Sequence, residues 1–315
     1  MAYRNLPDVI LDSLQDVEHR GWNPYLTLCR RYQIEPDEYV DFILENYNFH
    51  IQLRSDIFIT MFNTVVDLSL LSGVLLPNVK VIRLPHTAED LNGLSDLLVP
   101  RLKILTLDGK YNCLNNLANF RSQTIKTLII QGQNSPIPSL TLPTLRNLTV
   151  TRTGLQDISF LNSSNLDGLK SLAVCNPIIL EEQDIVDLTE IEWGRYPQLI
   201  KLSILYTIFN TERIVIDNNL PKSLEYLKID QCTLKTYDTV NLPNLSKLVI
   251  TEDSVPILEQ LNMPILHKLT VLKTPNPMEE SGPYNFLRES NNDQIESIRK
   301  ILKDDKVRIT LKRGF

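Results

Sequence analysis

Residues 243–250 read Pro-Asn-Leu-Ser-Lys-Leu-Val-Ile, and the fold of most of the chain follows from this pattern. A proline is followed two positions later by an apolar residue, and two more apolar residues come three and five positions after that one. The same form stands at residues 100–107, 143–150 and 197–204. Because the side chains of a strand alternate between its two faces, Leu248 and Ile250 point to the same side. The stretch therefore predicts a strand with one buried face.

Copies of this pattern, with or without the proline, follow one another along the chain. Their first apolar positions are Val79, Leu102, Ile125, Leu145, Leu169, Leu199, Leu224, Leu245 and Leu266. The shortest interval, from 125 to 145, is 20 residues, and the longest, from 169 to 199, is 30. One such unit cannot bury its apolar face alone, whereas a stack of units shares a continuous core. The alternative is a set of unrelated buried strands.

These units resemble the leucine-rich-repeat family over roughly residues 60–275. Residues 227–234, Leu-Lys-Ile-Asp-Gln-Cys-Thr-Leu, fit the family form L-x-L-x-x-N/C-x-L. Most other units lack the Asn or Cys and have residues such as Thr153 and Thr207 there, which predicts irregular repeats. The resemblance implies an α/β fold, a solenoid whose parallel strands line a concave face, and we assign it residues 51–275. Val65, Leu68 and Leu70 fit an opening copy without its proline.

Residues 276–315 interrupt the repeat and predict a C-terminal cap made of a helix and a strand. From Asp293 onward, Ile295, Ile298, Ile301 and Leu302 fall on one helical face. Residues 307–311 then alternate as a strand does. Such a cap closes the open end of a repeat core.

The first 50 residues carry a different, helical pattern. The segment resembles the F-box, and the matching residues are Leu6, Pro7, Ile10, Leu11 and Leu14, then Leu28, Cys29, Arg30, Arg31 and Tyr32. Val9 stands where an acid is usual, Tyr32 replaces a Trp, and the link between the two parts is lengthened. The resemblance implies that Leu6, Pro7, Ile10, Leu11, Leu14, Leu28 and Tyr32 dock onto a Skp-type adaptor of a cullin–RING ubiquitin ligase. The alternative is a plain helical cap over the first repeat.

Composition and motifs give no support to an enzyme. The four histidines form no metal spacing with a cysteine, and HExxH, GxSxG, Walker-type and GxGxxG motifs are missing, so we expect no cofactor and no metal site. The net charge of −6 gives no global reason to expect nucleic acid. Apolar runs are too short to cross a membrane. Four scattered cysteines are typical of reduced thiols, which favours a cytoplasmic or nuclear protein.

On the predicted strands, the residues between the core leucines face the concave side. Lysines recur there toward the C-terminal end, as Lys201, Lys228, Lys247 and Lys268, with Tyr226 among them. Because neighbouring strands lie about 5 Å apart, these charges predict a local basic patch. The patch suits an acidic or phosphorylated segment of a partner protein. Lysines that merely solubilise an exposed sheet face are the alternative.

The resemblances together imply a non-catalytic interaction protein. The leading interpretation is a substrate-recognition subunit of an SCF-type ubiquitin ligase, which binds an adaptor through its N-terminus and a substrate through its repeats. The alternative is a structural scaffold in a chromosomal or other multiprotein assembly, without a role in ubiquitin transfer.

Overall fold

The computed structural model shows an α/β protein built on parallel strands with few helices. It describes residues 51–54, 57–60, 79–84, 91, 94–108, 114–131, 136–151, 158–176, 186–206, 213–230, 232–273 and 286–313. The F-box-like segment at 1–50 and the copy expected at Val65 to Leu70 lie outside these residues. Chain contacts divide the protein into two compact units, Met1–Arg146 with Ser163–Leu166, and Asn147–Asn162 with Asp167–Phe315.

Among the described residues, the first unit has five strands that pair in chain order. They are β1 (Ile51–Arg54), β2 (Ile57–Thr60), β3 (Val81–Leu84), β4 (Ile104–Asp108) and β5 (Thr127–Gln131). β1 and β2 are antiparallel, and the pairs from β2 to β5 are parallel. The strand beside β3 is thus Ile57–Thr60, which the repeat pattern did not predict. A 3-10 helix, Asn115–Ala118, precedes β5.

The main sheet of the second unit is parallel throughout. Its strands, in pairing order, are β6 (Asn147–Thr151), β7 (Ser171–Asn176), β9 (Lys201–Tyr206), β11 (Tyr226–Asp230), β14 (Lys247–Thr251), β16 (Lys268–Lys273) and β17 (Arg308–Arg313). Shorter parallel strands pair separately, namely β8 (Val186–Asp187), β10 (Arg213–Val215) and β12 (Thr233–Lys235), and β13 (Val240–Asn241) with β15 (Leu261–Asn262). The helices of this unit are α1 (Phe160–Ser163), α2 (Phe286–Leu302) and the 3-10 helices Leu188–Glu190, Trp193–Arg195 and Glu252–Gln260.

The repeating leucines form the core, as their spacing predicted. Leu172, Leu202, Leu227, Leu248 and Leu269 are paired in register on successive strands, and each has no exposed surface. Complete burial of one such side chain stabilises the folded state by about 1.5–3 kcal/mol. Equivalent apolar positions in neighbouring units therefore stack into one continuous layer.

The recurring prolines lie at the second position of a tight turn that leads into each strand. The amide of Leu145 donates to the carbonyl of Leu142 over 3.0 Å, with Pro143 between them, and Leu245 bonds Leu242 across Pro243 in the same way at 3.1 Å. Proline favours this position because its ring fixes φ near the required value. The proline thus fixes the direction in which the chain enters the core.

Hydroxyl groups in some of these turns join a repeat to the one before it. Thr144 Oγ1 donates to the carbonyl oxygen of Ile125 over 3.0 Å, and Ser223 Oγ donates to that of Leu199 over 2.7 Å. The Ser or Thr immediately precedes the first core residue of its own unit and reaches the first core residue of the preceding unit. These bonds satisfy carbonyl groups at the start of the strands and fix the spacing between repeats.

Two large aromatic residues fill the core ahead of β9. Trp193 and Tyr196 are 2% and 1% exposed, and their rings meet edge to face with centroids 6.4 Å apart. Trp193 Nε1 donates to the carbonyl of Leu188 over 2.8 Å, and the Tyr196 hydroxyl donates to the carbonyl of Leu161. Burial raises the pKa of Tyr196 to about 12, because the phenolate would lose its hydration.

The C-terminal segment extends the sheet of the second unit. α2 begins at Phe286 rather than at the expected Asp293, and its Ile298 is 1% exposed whereas Ile295 is only half-buried. β17 pairs in parallel with β16 over six residues, from Lys268 with Arg308 to Lys273 with Arg313. The final strand therefore adds another rung to the sheet.

Candidate protein-interaction face

Strand register brings four cations and one tyrosine into a single row across the sheet of the second unit. Lys201, Tyr226, Lys247, Lys268 and Arg308 are direct partners on β9, β11, β14, β16 and β17. We call these five residues the basic row. Adjacent strands lie about 4.8 Å apart, so the four steps of the row span about 19 Å. The row therefore matches the length of a short extended peptide.

The cations of the basic row are open to solvent. Lys201, Lys247, Lys268 and Arg308 are exposed and Tyr226 is half-buried. Within the described part of the chain, none of the four cations forms an ion pair. Their charges are thus available to a ligand. Arg308 was missed in the sequence, because its strand lacks the leucine spacing and follows a helix.

Lys228 lies outside the basic row, although it was expected to share a patch with the other lysines. It pairs with Ser203 and Val249, two residues further along the strands. Its Nζ atom is 2.9 Å from Asp230 Oδ2, so this ammonium group already has a carboxylate partner within its own strand. The side chain of Asp230 is 11% exposed and that of Lys228 is 30% exposed. The pair contributes almost no net charge to the face.

The outward positions beyond the basic row are largely covered in β14 and β16. Alternation places Thr251, Thr270 and Leu272 on the same face as Lys247 and Lys268. They are nevertheless only 6%, 6% and 8% exposed. At Thr251, part of this burial comes from the residues between β11 and β12, since Thr251 Oγ1 donates to the carbonyl of Cys232 over 2.9 Å. The open part of the face at β14 and β16 is therefore its first row.

Asp230 has an oxygen with an unmet hydrogen-bonding capacity. Its Oδ2 atom faces Lys228, whereas Oδ1 is buried and has no hydrogen-bond partner among the described residues. A buried carboxylate that accepts from one cation only is costly unless that cation stays in place. Asp230 therefore depends on Lys228 as its charge partner.

A cleft of about 560 Å³ opens beside the C-terminal helix. Its lining combines apolar residues, among them Leu258, Leu261 and Val307, with polar ones such as Lys303 and Asp304. Leu258, Leu261 and Val307 are almost completely buried, and more polar than apolar surface faces the cleft.

The remaining sequence-based predictions concern an adaptor site, metal binding and the membrane. Leu6, Pro7, Ile10, Leu11, Leu14, Leu28 and Tyr32, expected to bind an adaptor, lie outside the described residues. In the part that the structure describes, no group of three or more His, Cys, Asp or Glu side chains could hold a metal ion. Cys175 is half-buried, and the buried Cys232 donates from its Sγ atom to the carbonyl oxygen of Asp230 over 3.1 Å. Among the described helices, none is long and apolar enough to span a membrane.

No protein-family model matches this sequence, and a search of curated proteins found no match.

Proposed function

We propose that this chain is a leucine-rich-repeat protein that binds another protein through the exposed face of its parallel sheet. The observation that carries this proposal is the basic row, an open line of side chains that successive repeats bring into register. A sheet face built from many strands presents side chains at fixed intervals on a rigid support, which suits recognition of an extended segment.

We further propose that the protein acts as a substrate receptor of an SCF-type ubiquitin ligase. The support is the resemblance of Leu6, Pro7, Ile10, Leu11 and Leu14 to the F-box, in the same chain as the repeats. In this role the N-terminal helices bind a Skp-type adaptor, and the repeats hold the substrate near the ubiquitin-transfer enzymes. The chain itself performs no chemical step.

The test is a pull-down with purified Skp-type adaptor. We expect the wild-type chain to bind the adaptor and the Ile10→Asp/Leu14→Asp variant to lose binding, because charges on the docking face of the helix disfavour burial in an apolar groove. The matched control is Tyr237→Asp/Ile265→Asp, which alters two side chains that are 82% and 51% exposed. The control variant should bind as the wild type does.

The outcomes separate the receptor from the alternatives. A well-folded wild type that ignores the adaptor would reduce the N-terminus to a cap and leave a repeat protein without a ligase. Adaptor binding without cullin-dependent ubiquitination of any captured partner would favour the structural scaffold. Adaptor binding that survives Ile10→Asp/Leu14→Asp would place the adaptor contact elsewhere.

A further inference from the structure

We infer that the basic row binds an extended, carboxylate-rich segment of the partner protein, which crosses the strands from β9 to β17. The inference rests on the proposed function, because it names the class of partner for the same face. It uses the five residues that the register aligns, and it removes Lys228 from the recognition surface.

The charge of the basic row is opposite in sign to that of the whole chain. The chain as a whole is acidic, with a net charge of −6, yet the basic row holds four cations and no acid. On the described strands of this sheet, Asp230 is the one acidic residue at an outward position, and Lys228 already neutralises it. The field along the row is therefore positive against an acidic background, which attracts and orients an anionic segment.

The spacing of the cations selects carboxylates over phosphates. A phosphate is recognised best by several donors that converge on it, above all by the planar fork of arginine. Here each strand contributes at most one charge to a straight row. Neighbouring charges from Lys247 to Arg308 lie about 4.8 Å apart, and Lys201 lies about twice that distance from Lys247 because Tyr226 comes between them. Three of the four are lysines, which act as separate point charges. Such a row suits anionic groups that are distributed along a chain.

Covered positions confine the ligand to the row. Thr251, Thr270 and Leu272 are buried, so most later outward residues of β14 and β16 are closed to a partner, and Val249 is half-buried. A segment that follows the row contacts one side chain from each strand instead. At about 3.3 Å per extended residue, roughly six residues cover the 19 Å of the row. Tyr226 lies between Lys201 and Lys247 and offers a hydroxyl donor and an apolar ring to the segment.

The test is direct binding of fluorescein-labelled peptides to the purified full chain, measured by anisotropy. The probe has about six glutamates, enough to span the row, and a glutamine peptide of equal length is its control. We expect salt-dependent binding of the glutamate peptide and no binding of the glutamine peptide. Lys247→Glu/Lys268→Glu should weaken binding at least about tenfold, since two attractions become repulsions.

A matched variant isolates the row from overall charge. Lys222→Glu/Lys300→Glu replaces two exposed lysines and changes the net charge by as much as Lys247→Glu/Lys268→Glu does. Both lysines lie off the sheet of the basic row. Lys222 Nζ donates to the carbonyl of Asn241 on β13, and Lys300 belongs to α2. Circular dichroism checks that both variants fold. The Lys222→Glu/Lys300→Glu variant should keep the wild-type affinity. Lys228→Met/Asp230→Asn should keep it too, because removal of both partners leaves the net charge of the face unchanged.

Four results would overturn the inference. The first is that the wild type does not bind the glutamate peptide, and the second is that both charge-reversal variants lose the same affinity for it. The third is binding of a phosphoserine peptide without binding of the glutamate peptide. The fourth is that the wild type binds single-stranded RNA more tightly than the glutamate peptide. No adaptor is present in this assay, so a failed adaptor pull-down leaves this result intact. Conversely, a chain that binds the adaptor but no acidic peptide contradicts only the inference about the row.

Discussion

Removal of the Lys228 ammonium group should destabilise the fold through Asp230. In Lys228→Met the side chain keeps an unbranched chain of similar size, one atom shorter, and loses its charge. Asp230 Oδ2 then loses its partner at 2.9 Å, while Oδ1 has none among the described residues. Unpairing a fully buried ion pair costs about 3–5 kcal/mol, whereas exposed pairs contribute about 0–1 kcal/mol. Because the Lys228 side chain is 30% exposed, we expect an intermediate loss of about 2 kcal/mol in the free energy of unfolding.

The partner substitution should cost less, and the double variant should show the coupling. Asp230→Asn leaves the ammonium of Lys228 able to reach water, so we expect a loss of about 1 kcal/mol. Lys228→Met/Asp230→Asn removes both charges, and its loss should fall short of the sum of the single losses by at least about 1 kcal/mol. Lys247→Met, at an exposed position without an ion pair among the described residues, should change stability by less than about 0.5 kcal/mol.

Chemical denaturation of the four variants and the wild type provides the measurement. If the losses of unfolding free energy in the two single variants add up to that of the double variant within about 0.5 kcal/mol, Lys228 and Asp230 are not coupled, because independent sites behave in that way. Equal losses in Lys228→Met and Lys247→Met would also contradict the dependence of Asp230 on Lys228.

Two further predictions concern the core and the turns between repeats. Because of Tyr196, the protein should lose stability as the pH rises from 10 to 12. The phenol of the unfolded chain ionises near pH 10.0, whereas the folded one keeps its proton to about pH 12, so the free energy of unfolding falls by about 1.4 kcal/mol per pH unit. Denaturant titrations should show this loss in the wild type and not in Tyr196→Phe. Equal pH profiles would contradict this. Thr144→Val should lower the free energy of unfolding by about 0.5–1.5 kcal/mol, because the Ile125 carbonyl loses its 3.0 Å donor while the side-chain volume is kept. Thr144→Ser keeps the hydroxyl donor and should therefore retain most of the wild-type stability. Equal stabilities of the Val and Ser variants would assign the effect to packing.

The core was predictable because its signal is local. A period of two within each strand and a recurring interval between strands are properties of the sequence, and burial of Leu202, Leu227 and Leu248 follows from them. The proline turns were predictable for the same reason, since φ is fixed by the ring of Pro143 or Pro243 wherever it stands. β2 was not predictable in this way, because residues 57–60 lack the proline and the leucine spacing.

The candidate site was predictable in part. The sequence identified Lys201, Tyr226, Lys247 and Lys268 as outward residues, and the register places them in one row. Lys228 lies on the same face but two residues further along its strand, and alternation alone does not give this offset. The sequence pattern omitted Arg308 because its pairing with Lys268 joins residues that α2 separates in the chain.

The sequence by itself determined the repeat, the buried leucines and the turns, because each depends on residues close together in the chain. Tertiary structure decided which cations remain available. The ion pair of Lys228 with Asp230, the burial of Thr270 and Leu272 at outward positions, and the addition of Arg308 to the row all depend on long-range packing and strand register. Charge on a surface is a property of neighbours in space, and those neighbours are fixed only when the strands are paired.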